Sequence, residues 1–283
     1  MSVAYVVLAH KHPTQVGRLA AALAPAPVFL HVDAAVDRSP FAAAAPANVT
    51  LVRRHRSGWA SWGIVAALLE GMRAAAPAPG WTHLALLSGQ DYPLRPYEEV
   101  AAFLSGHEGR SFMPRWPLPS RLWGRDGGLH RVRYRHWALR GRRLFLPVPR
   151  RMPAGIRPWG GSLYACLARP AVEDVLALIA RRPDVVRFYR RSWIPDEMFV
   201  PTAVMSSPSA DGVINESLSF IRWSERGGPH PDVLRAGDLP QLLQAARGPS
   251  DVGGHGRRKL FARKLDAGVD AELLDLVDTQ LLR

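Results

Sequence analysis

Two adjacent carboxylates, Asp196 and Glu197, are the first candidates for chemistry in this sequence. They lie in RRSWIPDEMF (190–199), after a tryptophan and a proline and before an apolar run. A carboxylate at the mouth of a pocket can take the proton from a hydroxyl nucleophile during group transfer. Acidic residues also occur at helix starts without any chemical role, because they interact favourably with the helix dipole. The residues alone leave both interpretations open.

Basic residues form the second candidate group. The formal net charge is +13. Arginines are dense between Arg115 and Arg151, with tryptophan and tyrosine interleaved, and a second basic stretch, RRKLFARKLD, occupies 257–266. Such an excess indicates a polyanionic partner. The charge alone allows nucleic acid, an anionic membrane surface or a phosphorylated substrate.

A βαβ pattern predicts how these residues are positioned. Continuous apolar runs at 4–10, 27–33 and 48–54 predict buried strands, and helical spacing at 61–76 precedes another strand at 82–94. Apolar strands that alternate with helices are typical of a parallel sheet buried on both faces. The predicted fold class is therefore α/β, with a mixed, mostly parallel sheet flanked by helices.

The middle of the chain, 106–158, breaks this pattern and is rich in Arg, Trp and Pro. We predict short-stranded or irregular elaborations there, over the carboxyl edge of the sheet, where such folds place ligands. No repeat or linker divides the sequence, so a single domain over 1–283 is predicted.

Missing motifs exclude several classes of enzyme. The sequence has no P-loop, no G-x-G-x-x-G after the first strand, no G-x-S-x-G, no H-E-x-x-H and no D-x-D. Its single cysteine, Cys166, excludes an internal disulfide and lies in an apolar run, so we expect a buried thiol. No window approaches the roughly 20 apolar residues that span a bilayer. Because the N-terminus has no basic region before its apolar run, we expect no signal peptide and a cytoplasmic or peripheral protein.

Seven short stretches, taken together and in order, resemble a known family. They are AYVVLAHKHP, FLHVDAAVD, LLSGQDYPLRP, WGGSLYACLAR, PDEMFVPT, FIRW and LFARKLD. The set is similar to the core-2/I-branching β-1,6-N-acetylglucosaminyltransferase family, which includes the peptide xylosyltransferases. The resemblance implies a GT-A-like glycosyltransferase fold, with a nucleotide-sugar-binding half over 1–105 and an acceptor and catalytic half over 106–283. The lack of a membrane anchor and of disulfides favours a bacterial-type member.

The same resemblance implies an inverting transfer from a UDP-sugar to a hydroxyl, without a metal ion or other cofactor. N-acetylglucosamine is the favoured sugar and UDP-xylose the alternative donor. The missing D-x-D agrees with this, so fixed cations must stabilise the charge on the departing UDP. The family's catalytic base matches Glu197, while Asp196 is expected to cap the turn and the helix start.

Several residues are implied to bind the donor. They are His10, Asp33, Trp59, Ser88, Gly89, Asp91, Arg257, Arg258, Arg263 and Lys264. Lys264 matches the family's diphosphate lysine, and Trp59 stands where the family has a nucleotide-contacting tyrosine. The second diphosphate ligand has no match, which leaves Arg235 or the pair at 257–258 as alternatives. His10 is equally consistent with a core histidine, and Asp91 with holding its loop or contacting the donor sugar.

The acceptor is the least determined part of the prediction. Trp223 matches a family tryptophan that stacks on the acceptor sugar, whereas Glu225 replaces the tyrosine of the member with a core-2 acceptor. A glycan, a lipid-linked saccharide and a small glycoside all remain open as acceptors. The Arg-rich middle also suits peripheral contact with an anionic membrane.

Two hypotheses from other classes stay open at this point. The charge favours a nucleic-acid-binding protein, which predicts steeply salt-dependent binding. That hypothesis leaves PDE, SGQDYPL and Lys264 unexplained, so no nucleic-acid partner is expected. The other hypothesis is an α/β binding module that retains UDP affinity without turnover.

Overall fold

The computed structural model describes residues 3–139, 142–224, 230–248 and 258–282. The strands are β1 (Val3–Ala9), β2 (Val28–Val32), β3 (Val49–Leu51), β4 (His83–Ser88), β5 (Asp91–Pro93), β6 (Ser111–Phe112), β7 (Arg115–Pro117), β8 (Arg135–Leu139), β9 (Arg142–Leu146), β10 (Trp159–Gly161), β11 (Cys166–Ala168), β12 (Val213–Ile214), β13 (Ser219–Ile221) and β14 (Phe261–Arg263). The helices are α1 (Pro13–Ala22), α2 (Ser39–Ala44), α3 (Trp62–Ala75), α4 (Tyr97–Ser105), α5 (His130–Arg133), α6 (Arg169–Arg181), α7 (Pro183–Tyr189), α8 (Phe199–Met205), α9 (Leu239–Arg247) and α10 (Glu272–Leu281).

The main sheet has seven strands in the order β12-β6-β11-β4-β1-β2-β3. β1 lies parallel between β2 and β4, and β11 runs antiparallel to β4. The predicted α/β class with a mixed, mostly parallel sheet is therefore confirmed. Because every residue of β2 is buried, and β1 is almost completely so, these strands read as continuous apolar runs in the sequence.

Each face of the sheet has its own core, as alternation along β1 requires. Tyr5 and Val7 pack on the face covered by α1, α4, α9 and α10, while Ala4 and Val6 pack on the face covered by α3, α6 and α8. None of the helices in the described ranges is long and apolar enough to cross a membrane.

Three small sheets lie outside the main one. β13, β14 and β5 form a three-stranded sheet, β10 pairs with β7, and β8 pairs with β9 as a hairpin. The region 106–158 contributes β7 and the β8–β9 hairpin, which agrees with the short-stranded elaborations expected there. The parallel pairing of β13 with β14 and the antiparallel pairing of β14 with β5 bring the C-terminal basic stretch to the loop after β4.

Candidate active site

The parallel register brings three predicted donor residues to the same edge of the sheet. Leu8 in β1 is aligned with Ser88 in β4, and Ala9 with Val32 in β2. The N–H of Asp33 donates to the carbonyl oxygen of Ala9 at 2.8 Å, and that of Gly89 to Leu8 at 2.9 Å. His10, Asp33 and Ser88 therefore lie at neighbouring strand ends on the carboxyl edge, where α/β folds bind ligands.

Asp33 holds the loop that leads to α3. Its Oδ2 accepts hydrogen bonds from the N–H of Ser57 at 2.8 Å and from the Ser57 hydroxyl at 2.5 Å, and its Oδ1 accepts the N–H of Ala35 at 2.7 Å. Burial acts to raise the pKa of Asp33, but these hydrogen bonds outweigh it and lower the pKa. The Arg54 guanidinium donates to the carbonyl oxygens of Val32 and Asp33. Asp33 is thus an ionised anchor at the predicted nucleotide position.

The turn between β4 and β5 is built around a fully buried carboxylate. Oδ2 of Asp91 accepts the N–H and the hydroxyl of Ser88 at 2.7 and 2.6 Å, and Nη1 of Arg263 at 3.0 Å. The guanidinium of Arg263 lies 3.9 Å from the ring centre of Tyr164. Burial raises the pKa of Asp91 against the opposing effect of Arg263. Asp91 therefore holds its loop, which was one of the two roles left open for it, and Arg263 is already paired within the fold.

Gly89 in this turn is needed for packing. A Cβ atom at this position would lie 2.8 Å from Cγ2 of Val16 in α1, closer than real Cβ contacts allow. The absence of a side chain at Gly89 therefore lets helix α1 approach closely, which sets the position of the turn.

Lys264 is a cation at this edge that has no charged partner in the part of the chain that the structure describes. It is half-buried, and among the described residues its ammonium group makes no ion pair or hydrogen bond. Burial lowers its pKa first, and the charges of Arg263 and Lys11 lower it further. The pKa of His10 is also lowered, by loss of solvent and then by Lys11, with Lys264 contributing. An anion placed here would relieve this accumulated positive charge.

Asp266 and Gln15 tie the Lys264 segment to the first strand and helix. Asp266 pairs with Lys11 at 2.5 Å and with His12 at 2.9 Å, and accepts the amide of Gln90 at 2.8 Å. Gln15 donates to the carbonyl oxygens of Gly89 and Leu265 and accepts the N–H of Ala267. The edge is therefore assembled from both ends of the chain.

Of the two arginines predicted at 257–258, the structure describes Arg258, and it is not brought to Lys264. Arg258 contacts Glu99 in α4 at 3.5 Å. Arg258 precedes the first residue of β14, whereas Arg263 is its last residue, so the two arginines lie at opposite ends of the strand. Because β14 runs antiparallel to β5, the Arg258 end lies towards α4. The structure thus places Arg258 beside Glu99 instead of beside Lys264, and its role in donor binding stays a prediction. Arg257 lies outside the described residues. Arg235 is the better placed alternative, since it is exposed and follows Leu234, whose N–H donates to the carbonyl oxygen of Lys264.

The PDE turn forms a short 3-10 helix before α8, and its two carboxylates have different surroundings. Oε2 of Glu197 pairs with Nη1 of Arg131 at 2.5 Å, and 37 % of the Glu197 side chain is exposed. The Arg131 guanidinium in turn lies 3.9 Å from the ring centre of Trp123. Arg131 thus fixes one oxygen of Glu197, while Oε1 has no partner among the described residues.

Asp196 is buried instead of capping a helix. No side-chain hydrogen bond caps either the PDE turn or α8, so the capping role predicted for Asp196 is wrong. Its Oδ1 is buried without a hydrogen-bond partner in the described structure. Burial, and then the charge of Glu197, raises the pKa of Asp196 to about 7. Asp196 also acts electrostatically on Tyr164, as Asp91 does, which connects the PDE turn with the donor edge.

Aromatic side chains line the entrance between the two halves. The exposed ring of Trp59 contacts Trp193 edge-on, with ring centres 5.5 Å apart, and His230 at 6.0 Å. Trp223 is 56 % exposed, and next to it the N–H of Asp232 donates to the carbonyl oxygen of Arg222 at 2.9 Å. Flat exposed rings of this kind are the surfaces on which sugar rings and bases stack. Glu225, predicted beside Trp223, lies outside the described residues.

Sequence reasoning missed several residues that build this site. Arg131 could not be distinguished among the arginines around it. Asp266 and Tyr164 belong to stretches that were singled out, but their partners are far away in the sequence. Within the described ranges, no group of three or more His, Cys, Asp or Glu side chains forms a metal site.

An α/β sheet with this strand order and these loops at its carboxyl edge has the GT-A-like fold of glycosyltransferases. A sequence model of the family described as Core-2/I-Branching enzyme matches residues 3–243. The chain belongs to this family. The matched range contains His10, Asp33 and Glu197 but ends before Lys264.

Curated relatives carry the name xylosyltransferase. The chain is 27 % identical over 246 residues to xylosyltransferase 2 of Rattus norvegicus, covering 79 % of this chain and 26 % of that protein. It is 26 % identical over 246 residues to xylosyltransferase 2 of Homo sapiens, with the same coverage. Xylosyltransferase 1 of Canis lupus familiaris is 26 % identical over 242 residues, covering 79 % of this chain and 24 % of that protein. The chain therefore spans about a quarter of the length of these relatives.

Proposed function

We propose that this chain is a metal-independent, inverting glycosyltransferase that moves a sugar from a UDP-sugar to a hydroxyl of a glycan or glycoside. Family membership supports the reaction class. The observation that carries the mechanism is Lys264, a half-buried cation without a partner in the described structure, beside Lys11 and Arg263. A diphosphate is the ligand that such a site suits, because fixed cations stabilise charge that develops on a leaving group.

Glu197 is the proposed general base. The acceptor hydroxyl oxygen attacks the anomeric carbon, the bond from that carbon to the diphosphate oxygen breaks, and its electron pair leaves with UDP. The hydroxyl proton passes to Oε1 of Glu197, since Oε2 is held by Arg131. Lys264, with Arg235 nearby, stabilises the charge on the departing diphosphate.

Asp33 and the loop it holds are proposed to bind the nucleoside. Its Oδ atoms receive three hydrogen bonds from Ser57 and Ala35, which fix the loop before Trp59. The exposed Trp59 ring offers a stacking surface at this loop. Trp223 and Trp193 are proposed to stack on the acceptor sugar, on the side of the entrance nearer to the PDE turn.

The donor sugar is proposed to be N-acetylglucosamine, with xylose as the alternative. The name xylosyltransferase, which the relatives carry, supports the alternative donor. Both donors are therefore tested in the same assay.

The test measures UDP release from a panel of UDP-sugars in EDTA, for the wild type and for Glu197→Gln. We expect release to survive chelation and to fall by roughly 10²- to 10⁴-fold in the variant, the usual contribution of a general base. The thermal shift produced by UDP should stay the same, because a glutamine keeps the shape of this side chain and the proposed diphosphate cation, Lys264, is unchanged. Turnover equal to that of the wild type would refute the assigned base.

Asp196→Asn is the matched comparison, since it replaces the neighbouring carboxyl with a side chain of similar shape that does not ionise. A larger loss of turnover in Asp196→Asn than in Glu197→Gln would move the base to Asp196. A UDP-induced thermal shift without turnover of any donor would instead favour the inactive binding module. Salt-sensitive oligonucleotide binding without any UDP effect would favour the nucleic-acid-binding protein.

A further inference from the structure

Exposed apolar side chains are concentrated at one place on this molecule. Eight large hydrophobic side chains are exposed in the described residues, and four of them lie within 144–148. The exposed fractions are 47 % for Leu144, 52 % for Phe145, 43 % for Leu146 and 58 % for Val148. Soluble monomers scatter exposed apolar residues singly, whereas a contiguous group indicates an interaction surface.

The β8–β9 hairpin determines which way these side chains face. Its register aligns Arg135 with Leu146 and Trp137 with Leu144. Since alternate residues of a strand share a face, these four side chains lie together on one face of the hairpin. On the other face Phe145 is aligned with the buried His136, which bonds to the carbonyl oxygen of His130 at 3.0 Å and so attaches the hairpin to the body. Phe145 is still half exposed there, so apolar surface continues around the edge of β9.

The stretch of sequence that carries this surface has charges of a single sign. Between Asp126 and Glu173 the sequence contains ten arginines and no acidic residue. Arg133, Arg135 and Arg151 are exposed next to the apolar group, and Arg191 lies 5.6 Å from the ring centre of Trp137. We call the side chains of Arg133, Arg135, Trp137, Leu144, Phe145, Leu146, Val148 and Arg151 the hairpin surface.

A basic groove opens beside the hairpin surface. It has a volume of about 640 Å³, and its lining includes Arg121, Arg125 and Arg133. Asp126 is the acidic residue of its lining, and His130 lies 2.8 Å from it. The groove offers guanidinium groups to phosphates that lie next to the apolar side chains.

We propose that the hairpin surface docks on an anionic lipid bilayer. Aliphatic and aromatic side chains flanked by arginine insert at the boundary between headgroups and acyl chains, while the guanidinium groups contact lipid phosphates. A second copy of the chain would place like charges against each other. Nucleic acid would meet the arginines but would leave Leu144, Leu146 and Val148 in water.

The hairpin is connected to the PDE turn through His136 on its other face. The ring of His136 lies 6.0 Å from that of Trp193, whose backbone N–H donates to the carbonyl oxygen of Arg131 at 2.9 Å. Arg131 also pairs with Glu197. This chain of contacts links the docked hairpin to Glu197, which fits an acceptor saccharide anchored in that bilayer. This assignment of the acceptor class rests on the proposed function, whereas the docking itself does not.

The experiment compares sedimentation of the full chain with vesicles of phosphatidylglycerol and phosphatidylcholine and with vesicles of phosphatidylcholine alone. We expect binding to the anionic vesicles only, with release at high salt. The combined variant Leu144→Ser, Phe145→Ser, Leu146→Ser and Val148→Ser should bind at least about tenfold more weakly, because it removes the apolar side chains that insert. Val269→Ser removes an equally exposed apolar side chain elsewhere and should bind as the wild type does. Because the substituted side chains are exposed, unchanged thermal unfolding and an unchanged UDP shift serve as checks of the fold.

Three outcomes would overturn the proposal: no binding to the anionic vesicles, equal vesicle binding by the serine variant, or a dimer in light scattering that only the serine variant abolishes. Oligonucleotide binding without vesicle binding would assign the arginines to nucleic acid and would also overturn it. Glu197→Gln should bind vesicles as the wild type does. Vesicle binding without turnover of any UDP-sugar would therefore reject the proposed function and leave the docking in place, and the reverse result would do the opposite.

Discussion

Asp196→Asn tests whether the structure assigns the right environment to the buried carboxyl of the PDE turn. Asp196 is 9 % exposed and its Oδ1 has no hydrogen-bond partner in the described structure. Burial, followed by the charge of Glu197, raises its pKa to about 7. The ordinary pKa of an aspartate, which applies in the unfolded chain, is about 3.9.

The direction in which stability changes with pH follows from the protons bound in the folded and unfolded states. Between about pH 4 and pH 7 the unfolded chain has released the Asp196 proton and the folded chain has kept it, so stability falls as the pH rises through this window. Three pKa units at about 1.4 kcal/mol each give a penalty of about 4 kcal/mol above pH 8, of which about 3 kcal/mol develops between pH 5 and pH 8. An asparagine side chain does not ionise, so the Asp196→Asn variant should lack this penalty.

The assay is urea unfolding of the wild type and Asp196→Asn at pH 5 and pH 8. We expect the stability difference between variant and wild type to move in favour of the variant by roughly 2 to 3 kcal/mol from pH 5 to pH 8. Glu197→Gln is the control with a second readout. Removing the Glu197 charge should lower the pKa of Asp196, so a smaller fall in stability is expected over the same range. A stability difference that does not change with pH would refute the buried, neutral carboxyl.

Two further predictions concern Lys264 and Cys166. Lys264→Ala should weaken UDP binding by about ten- to a hundredfold, since a hydrogen bond to a charged group contributes about 1.5–3 kcal/mol. Isothermal titration measures this, with Arg73→Ala on the exposed side of α3 as a control that keeps the affinity; equal affinities in both variants would contradict the diphosphate site. Burial raises the pKa of the Cys166 thiol, so it should not react with a disulfide reagent in the native protein and should react fully in urea. Fast labelling of the native protein would contradict the burial of β11.

The sheet could be predicted from the sequence because its strands carry their own signal. β1, β2 and β4 are buried apolar runs whose pattern does not depend on distant residues. The shared position of His10, Asp33 and Ser88 then follows from the rule that parallel strands end together. This is why the edge that they form can be derived without knowing any long-range contact.

The remaining parts of the site depend on pairings that no local pattern records. β14 has three residues, too few for a periodic signal, and becomes a strand because β5 and β13 pair with it. Arg258 was predicted at the donor edge from its closeness to Lys264 in the sequence, but the strand direction carries it away. Asp196 was expected at a helix start from its position before α8, and burial of the turn determined its environment instead.

The contacts of Asp266 join the donor edge from segments that are far apart in the sequence, so this edge forms late in folding. Lys11 and Asp266 are 255 residues apart, and Gln15 and Leu265 are 250 apart. During synthesis, the first strand and helix emerge from the ribosome long before Lys264 does. Pairings of such long range form late in folding, because the chain entropy of closing the loop must be overcome first. The donor edge is therefore complete only when the segment around Asp266 has paired with Lys11 and Gln15.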